Sequence, residues 1–361
     1  MHIGILTFHF PLNYGAMLQA HALLSRIQID GHSCQIIDYM PEHMSDTCNI
    51  NPLFTKMSLL NKTKSLIKLP LRYLSFRQFA HFSREYLSID MTSAHGSKKL
   101  KLPDHVEAVI VGSDQVWNGN ITNNDRNYFF ALQDDTATRH SYAASMGSSV
   151  PTEVVSQYCR EYLPRFTSIS VRESSVLTLL ETEIGLKASH VLDPVFLHDG
   201  PYWSRLAKKP ARVAQKYLLF YSLEDDRELA ETCRSVAKAS GLPIISIHPF
   251  GRCFIKESTQ IHAAGPLEFL WLIEHAAYIG TNSFHAVAFS SIFKKKLIYK
   301  SHSSLGSRVS SLLALFSIVH EMVSIGKDRK TVPVIDFFRS DHTMVDEKIL
   351  FSKSFLQGIY R

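Results

Sequence analysis

Short apolar runs alternate with longer amphipathic stretches from the first residues of the chain onward. Strands of apolar and β-branched residues are predicted over 2–8, 33–38 and 106–111. Between the first two, residues 16–29 have the spacing of a helix with one buried face, and Gly31 ends it. A strand, a helix and a further strand in this order form a βαβ unit, which is typical of a mostly parallel sheet.

The same alternation continues up to about residue 198. Further strands are predicted over 141–145, 168–171 and 190–192, and helices over 151–163 and 173–183. Asp193-Pro194 follows the last of these strands and is interpreted as its structural stop. Because strands and helices alternate without a break, we expect residues 1–198 to form one α/β domain.

A stretch rich in glycine, proline and lysine, over 199–210, separates this series from a second one. The second series has strands predicted over 217–221, 243–247, 278–281 and 296–299, and helices over 227–240 and 265–275. Two such series predict an α/β fold of two Rossmann-like domains that face each other across a cleft. We expect the second domain over 199–330, and a tail over 331–361 that packs back on the N-terminal domain.

The strand at 278–281 leads into the sequence GTNSFHAVAF, which is a polar turn followed by a helix of small and apolar residues. Asn282 or Ser283 can cap this helix, which places His285 in its first turn. A helix N-terminus presents free N–H groups and the positive end of the helix dipole, so the turn suits an anion. His285 is therefore a candidate to transfer a proton beside a bound phosphate or carboxylate.

Basic residues are concentrated in one segment of a chain whose formal net charge is +6. Between Asn51 and Arg84 there are seven lysines and arginines and no acidic residue, so the rest of the chain carries a net charge of −1. This distribution does not favour nucleic-acid binding, because a nucleic-acid-binding protein is expected to have basic and aromatic residues spread over its recognition fold. The segment, an insertion at about 51–90, either packs with a solvated basic face or rests on an anionic membrane surface.

The remaining composition predicts a well-packed cytoplasmic protein. Hydrophobic residues make up 45% of the chain, which excludes a disordered protein. The five cysteines are isolated and have no histidine at zinc-like spacing, so free thiols and no metal site are expected. No signal-peptide pattern opens the sequence, and its apolar runs are far shorter than the ~20 residues that cross a bilayer.

Ten short motifs occur along the chain in a specific order. They are GILT at 4–7, NYGA at 13–16, LQA at 18–20, VGSDQVWN at 111–118, YAASMG at 142–147, SVRE at 170–173, VLDP at 191–194, GPLEFL at 265–270, NSFHA at 282–286 and SRV at 307–309. Together they resemble the polysaccharide pyruvyl transferase family over nearly the full length. The resemblance implies a fold similar to GT-B glycosyltransferases. It also implies transfer of a pyruvyl group from phosphoenolpyruvate to two hydroxyls of a sugar, as a ketal, on a lipid-linked or polymeric glycan acceptor.

The resemblance places the donor near His285. Phosphoenolpyruvate carries a phosphate and a carboxylate, which require fixed cations and N–H donors. Arg172 matches the arginine of the family's SVRE motif and is expected to bind the donor. Relatives carry an arginine two residues before the histidine where this chain has Ser283, so Arg308 is expected to supply the missing cation. Asn282 and Ser283 complete the expected donor site, and no metal or other cofactor is required.

Acceptor-side residues are expected in the N-terminal domain. Asp114 follows a predicted strand and could orient or deprotonate an acceptor hydroxyl, or else cap a helix. Asn13, Tyr14 and Gly15 form the loop after the first strand and are assigned to the acceptor sugar, with a plain turn as the alternative. Trp117 could stack on the sugar ring or pack in the core.

Two other functions are also compatible with the sequence. A GT-B glycosyltransferase that uses a nucleotide sugar would need an acid to hold the ribose, and Glu268 in GPLEFL is the candidate. A non-catalytic glycan-assembly partner would account for Ser283 in place of the family's arginine. For Arg172 itself, the alternative to donor binding is a surface ion pair with Glu173 or Glu161, which would contribute little to stability.

Overall fold

The computed structural model describes residues 1–44, 69–91, 100–131, 137–147, 150–211, 213–301, 307–326 and 330–361. Lys56, Lys62, Lys64 and Lys68, which make up more than half of the basic segment's charge, lie outside these residues. Among the helices of the described ranges, none combines the length and the apolar composition needed to cross a membrane.

The N-terminal half of the chain is built on a parallel sheet. Its strands and α-helices are β1 (His2–Leu6), α1 (Tyr14–Ile29), β2 (Ser33–Ile36), α2 (Leu69–Phe82), β3 (Ala108–Val111), α3 (Gly119–Thr122), β4 (Thr138–Ser141), α4 (Glu153–Tyr162), β5 (Ser170–Val171), α5 (Ser174–Thr178), β6 (Ser189–His190) and α6 (Gly200–Leu206). The sheet order is β2-β1-β3-β4, and β5 and β6 form a separate parallel pair. In this register, Gly4 of β1 lies opposite Gln35 of β2 and Val109 of β3.

The C-terminal half contains a larger sheet. Its elements are β7 (Leu218–Tyr221), α7 (Arg227–Ala239), β8 (Ile244–Ile247), β9 (Thr259–Ile261), α8 (Pro266–His275), β10 (Tyr278–Thr281), α9 (Phe284–Ile292), β11 (Lys296–Tyr299), α10 (Ser307–Leu313), β12 (His320–Ile325), β13 (Lys330–Asp336) and α11 (Thr343–Ile359). The sheet order is β12-β13-β11-β10-β7-β8-β9. The five strands β11, β10, β7, β8 and β9 are parallel to one another. At the other edge, β13 pairs antiparallel with β11, and β12 pairs antiparallel with β13.

This architecture confirms the predicted α/β fold of two Rossmann-like units. Short 3-10 or π helices complete it at Glu42–Met44, Ser83–Leu87, Arg126–Phe129, Leu163–Arg165, Leu179–Ile184 and Pro194–Leu197. The strand predicted over 141–145 is β4 at Thr138–Ser141, which begins three residues earlier, because the backbone after Ser141 turns away from the sheet. Ala143 and Gly147 have φ angles of 51° and 70° there, which no strand allows.

The predicted C-terminal tail consists of two different elements. Residues 330–336 form β13 and so belong to the larger sheet, whereas α11 contacts the N-terminal half. The Leu192 amide donates a hydrogen bond to Ser352 Oγ at 3.0 Å, and the Tyr360 hydroxyl donates to Asp30 at 2.5 Å. The domain limits at 198 and 330 themselves stay a prediction.

The two halves share one apolar core, which includes residues of both sheets. At its centre, the Tyr14 ring stacks on Phe79 of α2 and Phe269 of α8, with ring centroids 5.3 and 4.7 Å apart. The Tyr14 hydroxyl donates to the Ala264 carbonyl at 3.2 Å. Aromatic pairs of this kind stabilise by about 0.5–1.5 kcal/mol each beyond their buried area, so the halves meet in a firm contact.

Two buried histidines lie where α1 packs against α6. His21 Nε2 is 2.8 Å from the Tyr202 hydroxyl, and His198 Nε2 is 2.9 Å from Ser25 Oγ. The His198 and Tyr202 rings stack with centroids 3.8 Å apart. Burial disfavours the charged imidazolium and lowers the pKa of both His21 and His198 to about 4.

These two histidines predict a loss of stability in mild acid. In the unfolded chain a histidine titrates near pH 6.5, so the unfolded state binds more protons than the native state between pH 6.5 and 4. We expect each to lower the free energy of unfolding by about 2 kcal/mol between pH 7 and pH 5. Urea unfolding at both pH values measures this. His21→Gln should reduce the difference in the free energy of unfolding between pH 7 and pH 5 by about 2 kcal/mol. His320→Gln, at an exposed position, should leave that difference unchanged. Equal stability of the unmodified protein at the two pH values would refute the prediction.

Candidate active site

The buried carboxylate of Asp193 lies at the centre of a polar cluster between the two halves. Its Oδ2 atom accepts hydrogen bonds from Arg172 Nη1 at 2.8 Å and from Ser113 Oγ at 2.9 Å. His285 Nε2 of the C-terminal half lies 3.4 Å from the same oxygen. One carboxylate therefore joins Ser113 and Arg172 of the N-terminal half to the predicted histidine.

Strand ends determine where these side chains lie. Ser113 follows β3, Arg172 follows β5 and Asp193 follows β6, while His285 is in the first turn of α9 after β10. The carboxyl ends of parallel strands meet at one edge of a sheet, where ligands of open α/β sheets bind. The Oδ1 atom of Asp193 accepts from the Val195 amide at 3.1 Å, which caps the 3-10 helix that follows and fixes the carboxylate.

Two arginines approach one aromatic ring in the same cluster. The guanidinium carbon of Arg172 is 4.7 Å from the centroid of the Phe284 ring, and that of Arg308 is 5.9 Å from it. Arg172 Nε is also 3.6 Å from Glu173 Oε1. Both arginines are buried, and Arg172 comes from the N-terminal half whereas Arg308 comes from α10. The cluster thus holds two cations within reach of His285.

Electrostatic effects keep the cluster charged. Burial alone would raise the pKa of Asp193, but the nearby His285 and Arg172 hold it well below its usual value. Burial opposes the charge on Arg172, yet Glu173 and Asp193 raise its pKa. Burial and the like charge of Arg172 lower the pKa of Arg308 to about 10, which still leaves it a cation near neutral pH.

Several polar atoms of this cluster are buried without a hydrogen-bond partner among the described residues. They are Nη2 of Arg172, Nε of Arg308 and Oε2 of Glu173. Nε of Arg172 and Nε2 of His285 also lack a hydrogen bond of normal length, but each faces a carboxylate oxygen, of Glu173 at 3.6 Å and of Asp193 at 3.4 Å. An unpaired buried polar group costs about 1–3 kcal/mol, so native structures rarely retain one without a reason. Their concentration at one point indicates a site that a polar ligand completes, and most of the unpaired groups are nitrogen atoms suited to an anion.

The site is closed in this structure. A cavity of about 10 Å³ lies against Arg172, Asp193, Phe284 and Arg308. That volume is about what one water molecule requires. A larger ligand therefore enters only if the two halves or their side chains move apart.

The structure brings some of the other predicted residues to this cluster. Gly15 lies so close to His285 that a Cβ atom on it would be 1.9 Å from His285 Nδ1. Asn13 caps α1 by accepting from the Gly15 amide at 2.9 Å. Asp114, with a φ of 70°, accepts from the following amide through Oδ1, and its charge acts on Arg172. Gly15 and Asp114 thus approach the cluster from the N-terminal half, whereas the Asn13 side chain caps α1.

Other predicted residues are used for packing instead. Trp117 is fully buried, stacks on Phe129 with centroids 5.4 Å apart, and donates through Nε1 to a backbone carbonyl. Tyr14 is held in the shared core described above. The assignment of Trp117 and Tyr14 to a sugar ring is therefore corrected, because neither ring is presented to a ligand.

The turn before His285 also differs in detail from the expectation. Asn282 Oδ1 accepts from the Leu223 amide at 2.8 Å, so its side chain ties two loops of the C-terminal half together. Ser283 occupies the N-cap position of α9, but its side chain makes no capping hydrogen bond. Its amide donates to Thr281 Oγ1 at 3.0 Å.

Sequence reasoning missed the residue with the most contacts in the site. Asp193 was interpreted as a strand stop, and Ser113 and Glu173 received no role of their own. The available signal is position, since each of the three lies two or three residues after the end of a strand, close to where the predicted Arg172 follows β5. Within the described residues, no group of three His, Cys, Asp or Glu side chains is arranged to hold a metal ion.

Two Rossmann-like units with a cluster of buried charged side chains at their junction define a GT-B-like protein. A family profile described as polysaccharide pyruvyl transferase matches residues 13–304, and the chain belongs to this family. The predicted resemblance is thereby confirmed. A comparison with curated proteins gave no significant match.

The comparison with solved structures matched an epimerase, a plant protein and a glycosyltransferase, among others. The Methanocaldococcus jannaschii UDP-GlcNAc 2-epimerase is 12% identical, with 97% of this chain and 99% of that chain covered and a TM-score of 0.43. Arabidopsis thaliana UGT89C1, solved with quercetin, is 11% identical, with 99% and 94% covered and a TM-score of 0.43. The Streptomyces nogalater glycosyltransferase SnogD is 10% identical, with 99% and 95% covered and a TM-score of 0.40. These values are too low to carry activity from those proteins to this chain.

Proposed function

We propose that this chain transfers a pyruvyl group from phosphoenolpyruvate to two hydroxyls of a glycan acceptor as a ketal. The observation that carries the proposal is that buried nitrogen atoms of Arg172 and Arg308, at the junction of the halves beside His285, have no hydrogen-bond partner among the described residues. A phosphate and a carboxylate on one small molecule would satisfy these groups, because charged oxygens are the strongest partners for guanidinium N–H groups.

The chemistry needs one acid and several anion contacts. The methylene carbon of the donor gains a proton, C2 gains a bond to each of two hydroxyl oxygens, and the C2–O bond to phosphate breaks. The two hydroxyl protons balance the one that the methyl group gains and the one that leaves with inorganic phosphate. In the proposal His285 protonates the methylene carbon, Arg172 and Arg308 hold the donor, and Asp193 orients His285 and Arg172.

Arg308 supports the proposal at the point where this chain departs from its relatives. The family resemblance implies an arginine at the position of Ser283, whose own side chain provides no cation. Arg308 lies beside Phe284, which directly follows Ser283, and its guanidinium carbon is 5.9 Å from that ring. In the proposal, this cation from α10 takes the place of the one missing from the turn.

The nucleotide-sugar alternative gains no support from its candidate residue. Glu268 Oε2 accepts a hydrogen bond from the Gly265 amide at 3.0 Å and so caps α8. Its other oxygen is 3.7 Å from Lys208 Nζ. A carboxylate engaged in capping a helix is poorly placed to hold a ribose, and we retain the pyruvyl transfer.

The proposal predicts that the purified protein releases phosphate from phosphoenolpyruvate when a suitable lipid-linked sugar is present. Phosphate release and a mass gain on the acceptor measure this across a panel of such acceptors. His285→Ala should lower the rate at least 100-fold, because a general acid contributes about 10²–10⁴-fold. His275→Ala, at an exposed histidine of the same half, should leave it unchanged. Sugar transfer from a nucleotide donor, without phosphate release, would refute the proposal.

The proposal also places the reaction in the cytoplasm, with a peripheral contact at the inner face of the membrane. In the described part of the basic segment, α2 buries Phe79 and Phe82 and exposes Tyr73, Leu74 and Arg77. Exposed apolar side chains beside a cation suit an anionic lipid surface. A lipid-linked acceptor would be presented at such a surface.

Membrane contact predicts binding to vesicles of phosphatidylglycerol and phosphatidylcholine, but not of phosphatidylcholine alone. Each basic residue near an anionic surface contributes about 1 kcal/mol, so Arg77→Gln should weaken vesicle binding about fivefold. Cosedimentation at low and high salt measures this, and binding should fall as salt screens the charges. Lys238→Gln, on the exposed side of α7, is the matched control. Equal binding to both vesicle types would remove the contact from the proposal.

A further inference from the structure

Glu173 is the one carboxylate of the site whose second oxygen is buried without a partner among the described residues. Its side chain is fully buried, and Ser145 Oγ donates a hydrogen bond to Oε1. The same oxygen is 3.6 Å from Arg172 Nε, while Oε2 has no hydrogen-bond partner. An ionised carboxylate only accepts hydrogen bonds, so this oxygen requires a ligand atom that carries a hydrogen.

The donor molecule does not provide that atom. The phosphate and carboxylate oxygens of phosphoenolpyruvate are negative and accept hydrogen bonds, which suits Arg172 and Arg308 but would repel Glu173 Oε2. The group in the reaction that does carry a hydrogen is the hydroxyl of the acceptor sugar. Glu173 and Arg172 are adjacent in the chain, so a hydroxyl at Oε2 would lie beside a donor held by Arg172.

We propose that Glu173 accepts the proton of the acceptor hydroxyl that attacks C2 of the donor. This inference rests on the proposed pyruvyl transfer. As the oxygen–C2 bond forms, the hydroxyl O–H bond breaks and its proton passes to Glu173 Oε2, while His285 gives a proton to the methylene carbon. Phosphate then leaves with the proton from Glu173, and the second hydroxyl attacks C2 and returns its proton to His285. Both residues end in their starting states.

The other carboxylates of the junction are less suited to this role. Both oxygens of Asp193 are occupied, Oδ2 by Arg172 and Ser113 and Oδ1 by the Val195 amide. Asp114, the residue predicted from the sequence, uses Oδ1 for the Gln115 amide and has no buried unpaired oxygen. Glu173 therefore takes the base role that the sequence assigns to Asp114.

The position of Glu173 in the fold allows it to meet both substrates. Its neighbour Ser174 is the first residue of α5, and Ser174 Oγ lies 3.2 Å from Ser311 Oγ of α10. Arg308 is on the same helix α10, and the charge of Glu173 acts on it. The space between Arg172 and Arg308 that the donor would occupy therefore borders the segment that carries Glu173.

The test is Glu173→Gln, which keeps the size of the side chain and an oxygen for Ser145 but removes the proton acceptor. We expect acceptor-dependent phosphate release to fall at least 100-fold, while the dissociation constant for phosphoenolpyruvate, measured by thermal shift, stays within about twofold. Formate should restore part of the activity in Glu173→Ala and none in Glu173→Gln, because only the first leaves room for a carboxylate. Glu181→Gln, at an exposed position of the π helix that follows α5, is the matched control.

Other results would contradict either the role of Glu173 or the proposed pyruvyl transfer. Unchanged phosphate release in Glu173→Gln overturns the inference and leaves the proposed function intact. Loss of phosphoenolpyruvate binding together with activity, without rescue by formate, also overturns it, since Glu173 would then only position Arg172. A larger loss in Asp114→Asn than in Glu173→Gln returns the base role to Asp114. If Glu173→Gln does not fold by circular dichroism, Glu173→Asp, which keeps the carboxylate, should retain more activity than Glu173→Ala. Absence of release by the unmodified protein with every acceptor overturns the proposed function itself.

Discussion

Replacing Arg172 by alanine is expected to lower the free energy of unfolding by about 3–5 kcal/mol and to abolish transfer. Arg172 is buried and donates to Asp193 at 2.8 Å, with Glu173 3.6 Å away. Removing the cation takes the guanidinium away from two buried carboxylates, and this is costlier than the loss of a hydrogen bond alone. Urea unfolding measures the first effect, and phosphate release from phosphoenolpyruvate measures the second.

Two further variants separate charge from geometry. Arg172→Lys keeps a cation near Asp193 but loses the planar donor pair, so it should recover much of the stability and little of the transfer. Arg234 makes an ion pair with Glu231 at the same distance of 2.8 Å but on the surface, and Arg234→Ala should cost less than about 1 kcal/mol. If Arg172→Ala lowers the free energy of unfolding no more than Arg234→Ala does, the buried ion pair between Arg172 and Asp193 contributes no more than an exposed one. The buried cluster would then not stabilise the junction of the two halves.

The sequence predicted the regular part of the fold because its physics is local. Strands such as β10 and β11, at Tyr278–Thr281 and Lys296–Tyr299, match their predicted bounds, since an apolar run between polar turns specifies a buried parallel strand. Helix ends were predicted well where a side chain caps the helix. Asp226, for example, accepts from the Leu229 amide at the start of α7.

The antiparallel edge of the larger sheet was not predicted. In β12, exposed and partly buried residues alternate, and none of its residues is fully buried. Such a strand is fixed by its pairing with β13 rather than by its own composition, and that pairing is long-range information. For the same reason the sequence showed a tail over 331–361 where the structure has a strand and a separate helix.

In the candidate site, the sequence identified the cations more readily than their partner. His285, Arg172 and Arg308 were predicted, but Asp193, which contacts the first two, was not. Which carboxylate meets which cation depends on how β5, β6 and α9 come together, and residue spacing does not determine it. Trp117 was predicted either to stack on a sugar ring or to pack in the core, because the sequence around an aromatic residue does not distinguish the two. Its stacking on Phe129 in the structure identifies it as a core residue.

Gly15 shows why one residue at the junction must lack a side chain. A Cβ atom at this position would lie 1.9 Å from His285 Nδ1 and 2.2 Å from His285 Cγ. Contacts below 3.0 Å do not occur between real atoms of this kind, and Cγ is at the base of the ring, so a small rotation cannot relieve the overlap. The first turn of α1 thus defines where the His285 ring lies relative to Asp193, from the opposite half of the molecule.

Gly15→Ala is therefore expected to reduce transfer at least 100-fold and to destabilise the fold by about 1–3 kcal/mol, because it displaces the His285 ring. Gly358→Ala is the matched control, since Gly358 is also helical and a Cβ atom on it meets nothing within 4 Å. That variant should keep full transfer and gain up to about 1 kcal/mol from helix propensity.

The double variant Gly15→Ala with His285→Ala tests whether the effects of Gly15→Ala arise from a clash with the His285 ring. If the ring is what the new methyl group strikes, removing it restores the lost stability, and the two effects on transfer do not add. Additive losses in both measurements would mean that Gly15 acts elsewhere, and that α1 does not position the histidine.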